Sequence, residues 1–113
     1  MDTVTLNYRQ IIEKVLKEYV DFFSMGEEEV HIGLVLDKKN DRYLIVEVGW
    51  QNNYRIYGTL IHLDIINNKV WIQHDGTEEG IANDLVNAGI PKQNIVLAFK
   101  PPEIRPYIGF AVS

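Results

Sequence analysis

The sequence contains no cysteine. Disulfides, zinc–thiolate sites, iron–sulfur clusters and cysteine nucleophiles are thereby excluded. Only four prolines and eight glycines occur among the 113 residues, and no stretch reads as a linker or a low-complexity tract. No apolar run approaches the ~20 residues needed to cross a bilayer, and the chain opens on an amphipathic pattern instead of a basic-then-apolar leader. A cytoplasmic domain without a membrane segment is the expectation. Bases are also scarce: eleven Lys and Arg stand against sixteen Asp and Glu, a net charge of −5. Residues 1–29 carry three bases and seven acids, residues 30–74 five and four, and residues 75–113 three and five. Nucleic-acid binding draws on Lys and Arg neutralising phosphates, so a chain without a dense basic stripe is not expected to bind DNA directly.

What is present suits one globular domain over residues 1–113. A hydrophobic content of 46% is enough for a core at this length. Tyr8, Ile11, Ile12, Val15, Tyr19, Phe22 and Phe23 recur at three- and four-residue steps, which predicts an amphipathic helix over about residues 5–23 covering one face of a sheet. Gly26 is expected to stop it, and Glu27, Glu28 and Glu29 to form a solvated connector. Alternation from Val30 to Asp37 predicts a strand, and Lys38 to Asp41 a polar turn. Tyr43 to Val48 is a nearly continuous apolar strand ending at Gln51-Asn52-Asn53. Tyr54 to Ile66 is long for one strand, and Gly58 is a candidate bulge. Asn67-Asn68 suits a two-residue hairpin turn, because Asn tolerates positive φ at both positions. Val70 to His74 returns. A helix over about residues 77–88, capped by Thr77 or Asp75, stops at Gly89 and Pro91. A short strand from Ile95 to Phe99, a rigid turn or one-turn helix from Lys100 to Pro106 and an extended segment from Tyr107 to Val112 complete the chain. The fold class expected is α+β: an N-terminal helix on an antiparallel meander, then a second helix, a short strand and a C-terminal extended segment.

The hairpin at Asn67-Asn68 carries the sharpest expectation. A two-residue turn pairs Ile66 with Lys69, Ile65 with Val70, Asp64 with Trp71, Leu63 with Ile72 and His62 with Gln73. Ile61, Leu63, Ile65, Val70 and Ile72 then form a core face, and His62, Asp64, Trp71 and Gln73 gather on the other. A slipped register would set His62 opposite His74 near Asp64, the arrangement a zinc or iron site needs. The buried-face pattern favours the first register, so no metal and no cofactor is expected. Asp64 is expected to orient His62 or to accept from the Trp71 indole, and the aromatic beside a His/Asp pair also suits a recognition surface.

Other constellations are weaker. Asp75, Glu78 and Glu79 read as helix-start residues and Asp84 as a solvent-facing one, not as paired catalytic carboxylates. Gly76 and Gly80 match neither GxGxxG nor GxxxxGK[ST]. Asp37-Lys38-Lys39 is a β-turn, and Ser24 and Ser113 sit in no nucleophile-elbow context. Arg105 can fork to a partner within the fold or on another protein.

His62-Leu63-Asp64-Ile65-Ile66, Lys69-Val70-Trp71-Ile72-Gln73, Asp75-Gly76-Thr77-Glu78, Ile81-Ala82, Leu85-Val86, Ala88-Gly89-Ile90-Pro91, Ile95-Val96-Leu97-Ala98-Phe99, Pro102, Arg105 and Phe110-Ala111-Val112 together resemble the XisI family, the fdxN element excision controlling factors of cyanobacteria. The resemblance spans essentially the whole chain and is strongest from residue 62. It implies an accessory role beside a XisH-type, nuclease-like partner in developmentally controlled excision by a separate recombinase. The family supplies no catalytic residues to carry over. The surface implied for a partner or ligand comprises His62, Asp64, Trp71, Gln73, Asp75, Glu78, Glu79 and Arg105. The rival readings are a metal-dependent phosphodiesterase using His62, Asp64 and His74, and a small-ligand sensor with a pocket beside Trp71. Self-association through apolar strand edges is a further expectation.

Overall fold

The apolar stripe of the N-terminal segment does form a helix, and it lies on a sheet. The computed structural model describes residues 3–25 and 29–113. The expected helix stop at Gly26 and the connector residues Glu27 and Glu28 lie outside the described residues; Glu29 already belongs to a strand. The elements are α1 (Thr3–Phe23), β1 (Glu29–Asp37), β2 (Arg42–Gln51), β3 (Tyr54–Ile66), β4 (Lys69–Asp75), α2 (Ile81–Asn87) and β5 (Ile95–Leu97). One-turn 3₁₀ helices occupy Lys92–Asn94 and Arg105–Tyr107. The sheet runs in the order β1-β2-β3-β4-β5, with β1 to β4 antiparallel and β5 parallel to β4. That parallel step requires a crossover, which α2 provides. The architecture is α+β, as expected.

Tyr8, Ile12, Val15 and Leu16 of α1 are buried against Tyr43, Ile45, Ile61, Leu63, Val70 and Ile72 of the sheet. Ile81 and Leu85 of α2 close the same core. Each fully buried aliphatic side chain contributes roughly 1.5–3 kcal/mol. One member of the expected stripe departs from it: Phe22 is 71% exposed. Ile12, Leu16, Tyr19 and Phe23 follow the inward face, and at 3.6 residues per turn Phe22 falls off its edge.

Both long hairpins turn on Asn-Asn pairs. Asn52 and Asn53 take φ of 50° and 67°, and Asn67 and Asn68 take 51° and 62°. Positive φ at both central residues matches the right-handed twist of the flanking strands. Between β1 and β2, Asp41 also has positive φ, 53°. Its carboxylate is gripped by Arg9 Nε (2.5 Å) and Nη2 (2.9 Å) and accepts from the Tyr43 hydroxyl at 2.9 Å. Arg9 draws the Asp41 carboxyl below its ordinary range, and burial pushes the Tyr43 phenol up.

Register shifts twice near the middle of β3. Ile45 pairs with Ile61 while Val46 pairs with Thr59, leaving Leu60 as an extra residue. On the other side Leu63 pairs with Ile72 while His62 pairs with His74, leaving Gln73 extra. Gly58, the expected bulge, pairs regularly with Glu47, and a Cβ added there would meet nothing within 4 Å. Gly49 is the glycine the sheet needs. A Cβ there would lie 2.0 Å from the Glu29 carbonyl oxygen.

Candidate functional site

Asp64 sits at the centre of the polar group on the sheet face away from α1. It is 8% exposed. Its Oδ1 lies 3.0 Å from His62 Nε2 and accepts from Arg42 Nε at 3.2 Å, while Oδ2 accepts from Gln73 Nε2 at 3.2 Å. A buried carboxylate needs donors on both oxygens, and these three side chains supply them. Trp71 stands directly opposite Asp64 in the ladder. The structure therefore brings His62, Asp64, Trp71 and Gln73 together. Of the two partners expected for Asp64, the structure shows His62, and Arg42 and Gln73 complete its shell. Arg42 has no signal in the sequence beyond its place just after a turn.

The pairing at the end of this hairpin needs correction. The two-residue turn is present and pairs Ile66 with Lys69 through to Leu63 with Ile72, but His62 stands opposite His74, not Gln73. The bulge is the reason, because it absorbs one residue of β4 without disturbing the turn. Gln73 then reaches back to Asp64 in place of His74. Among the described residues, no group of three or more His, Asp or Glu is placed to hold a metal ion.

Asp75 closes β4, and Glu78 and Glu79 lie in the loop between it and α2. The Asp75 Oδ1 accepts from the Thr77 amide (2.9 Å) and hydroxyl (2.5 Å), and its Oδ2 accepts from the Ile81 amide at 2.8 Å. The Thr77 hydroxyl in turn accepts from the Gly80 amide at 3.2 Å. Asp75 thus supports the start of α2, but the helix begins at Ile81 instead of residue 77. Gly80 has φ +85°, a left-handed step that no α-helix continues through. Glu78 and Glu79 are exposed beside the helix start, where the peptide dipoles favour negative charge.

Two residues that the sequence placed in the apolar stripe of α1, and not among the site candidates, shape this region. Tyr19 donates its hydroxyl to Asp84, which is therefore not simply solvent-facing. Burial first, then that hydrogen bond and the neighbouring carboxylates, push the Tyr19 phenol well up. Exposed Phe22 stands one residue from Phe23, with rings 5.6 Å apart and edge to face. Two grooves of about 460 Å³ each meet along Tyr19, Phe22 and Glu79, one running beside Asp84 and Asn87 and the other beside Gly76, Thr77 and Glu78. The adjacent pair Phe22-Phe23 at a helix end is the available signal, since one helix face cannot bury both.

Arg105 belongs to the fold. It is 9% exposed, and donates from Nε to the Lys100 carbonyl (3.0 Å), from Nη1 to Val112 (3.3 Å) and from Nη2 to Ala98 (3.2 Å). Its guanidinium lies 5.7 Å from the Trp71 ring centroid. It clamps the C-terminal loop over β4 and β5, where Ala111 forms a single bridge to Val96. Also beside Trp71 is a hollow of about 310 Å³ lined by Ile66, Asn67, Lys69 and Ser113. No helix among the described residues is long and apolar enough to cross a membrane.

This geometry has close counterparts among solved structures. A XisI-like protein from Anabaena variabilis ATCC 29413 superposes with a TM-score of 0.87 at 33% identity, covering 96% of this chain and 98% of its own. The fdxN element excision controlling factor XisI from the same organism superposes with a TM-score of 0.83 at 33% identity, covering 99% of this chain and 100% of its own. A search of curated proteins finds no match. Residues 1–112 match the family described as XisI protein. The chain belongs to the XisI family.

Proposed function

We propose that this chain is a non-catalytic accessory factor controlling programmed excision of a DNA element of the fdxN type, and that it works by contact with a XisH-type protein. Family membership and the excision-controlling role named for its Anabaena relative support the process. The observation that carries the mode of action is the groove where α1 meets the approach to α2. Phe22 is exposed there as an apolar anchor, Tyr19 is turned onto Asp84, and Glu78 and Glu79 rim it. Such a surface suits a basic protein segment with an apolar anchor of its own, and it repels DNA phosphate. Asp64 and Arg105, by contrast, direct their hydrogen bonds inside the fold, so of the candidate residues Glu78 and Glu79 are the ones a partner meets directly. Sizing chromatography of the chain mixed with a XisH-type protein tests this. A co-eluting complex, lost in a Phe22→Ala/Glu79→Lys variant that keeps its circular dichroism, is expected. Separate elution of the wild-type proteins would overturn it.

A second reading has one observation in its favour: the bulge at Gln73 sets His62 opposite His74, beside Asp64. A metal-dependent phosphodiesterase would use those three residues. Against it, both Asp64 oxygens already accept from protein donors, and releasing one costs a buried hydrogen bond. Zinc binding by calorimetry that disappears in both His62→Ala and His74→Ala, together with phosphodiester hydrolysis, would establish this reading. Absence of both leaves the accessory role standing.

A further inference from the structure

Strand β2 is apolar on both of its faces. Tyr43 and Ile45 point into the core beneath α1 and are fully buried. Leu44, Val46 and Val48 alternate with them onto the opposite face, where Val35 pairs with Leu44 and Tyr57 with Val48. Val48 is 37% exposed and Tyr57 81%. A solvated face of an antiparallel sheet normally carries polar side chains, whereas an apolar run on both parities marks a strand covered on both sides. Among the described residues, helices cover only one side.

The charge on this face narrows what covers it. Glu29 and Arg55 flank Trp50 at one end of β2, and Asp37 pairs with Arg42 at the other. Asp64 is turned into its own hydrogen bonds. Counting Asp64 with the Arg42 that donates to it, the face carries three acids and two bases and is close to neutral, although the whole chain carries −5. A strongly charged partner would meet no opposing field here. A copy of the same face would meet an equally near-neutral surface with the same apolar centre, while the acidic helix sides of the two molecules stay apart. Three strands at about 4.8 Å spacing and about nine residues at ~3.3 Å give a projected footprint on the order of 400 Å², which places the contact at the small end of specific interfaces.

We propose that the outer face of β1, β2 and β3 seats a second copy of this chain, sheet against sheet, around Val35, Leu44, Val46, Val48 and Tyr57. Two such sheets pack about 10 Å apart with their strands roughly aligned. The proposal stands apart from the groove at α1 and α2, so either can fail alone. Sedimentation equilibrium on the full chain at micromolar concentrations is expected to give twice the 13.1 kDa monomer mass. A Val48→Lys/Tyr57→Lys variant, altered only at exposed positions, is expected to sediment as a monomer with unchanged circular dichroism. A monomeric wild type overturns the proposal, and so does a dimer that survives in the variant. A monomeric wild type whose Val48→Lys/Tyr57→Lys variant loses a XisH-type complex would assign the face to that partner instead.

Discussion

Gly49 shows how much one hydrogen atom in place of a methyl can decide. The Glu29 carbonyl passes 2.0 Å from where a Cβ would stand, so the Gly49→Ala backbone must separate β1 from β2. Overpacking of this kind costs about 1–3 kcal/mol, and a comparable fall in stability measured by urea unfolding is expected. Gly58→Ala, facing open space, is expected within about 0.5 kcal/mol of wild type. Asp41 gives a residue-scale test by pH. Its folded carboxyl is lowered by Arg9, so the stabilisation is present above the unfolded value of about 3.9 and is lost as pH falls through the lower folded value. Thermal unfolding followed from pH 7 to pH 2 should show that acid limb flattened in Asp41→Asn. Glu13 is lowered in the same direction by Lys38 and Lys17 and continues to titrate in that variant. Arg105→Met keeps an apolar stem but removes three donors to carbonyls and the guanidinium over Trp71, so amide exchange from Ala98 to Ala111 should accelerate while the β1–β3 amides stay protected.

At the scale of elements, the hairpins depend on their Asn-Asn turns. Replacing Asn67-Asn68 by Ala-Ala forces two Cβ-bearing residues without Asn's local hydrogen bonding into positive φ, at roughly 1–2 kcal/mol each. The melting temperature should fall. Asn68→Gly alone, which makes the turn an Asn-Gly pair, should match or exceed wild type. These turns, the α1 stripe and the core face of β3 and β4 are legible because each rests on a local rule: positive φ, a 3.6-residue period, an alternation of two. The bulges are not. Gly58 advertises one and has none, while Leu60 and Gln73 carry them without any unusual residue type. A bulge is set by how two strands and a helix must meet, and that information is spread over distant positions. The start of α2 slips for a related reason, since Asp75 ties down the loop through Thr77 and delays the helix to Ile81.

At the scale of the molecule, the surface has three characters. One sheet face is covered by α1 and α2; the other is apolar around Val35, Leu44, Val46 and Val48, carries the polar group around Asp64 beside them, and is clamped by Arg105 over β4 and β5. Acidic side chains rim the groove beside Phe22. The site residues expected from the sequence divide between these regions: His62, Asp64, Trp71 and Gln73 on the sheet, Asp75, Glu78 and Glu79 at α2, and Arg105 inside the clamp. Their chemical types are readable in the sequence, but their accessibility is not, because burial of Asp64 and Arg105 depends on Arg42 and on carbonyls elsewhere in the chain. The measurement that bears most directly on the accessory role is a calorimetric titration of a XisH-type protein into this chain. Saturable binding is predicted, weakened at least about tenfold, or ~1.4 kcal/mol, by Glu78→Lys/Glu79→Lys and more so at low salt, where charges are least screened. No binding by the wild type, or an affinity indifferent to that charge reversal, would rule out control through this acidic rim.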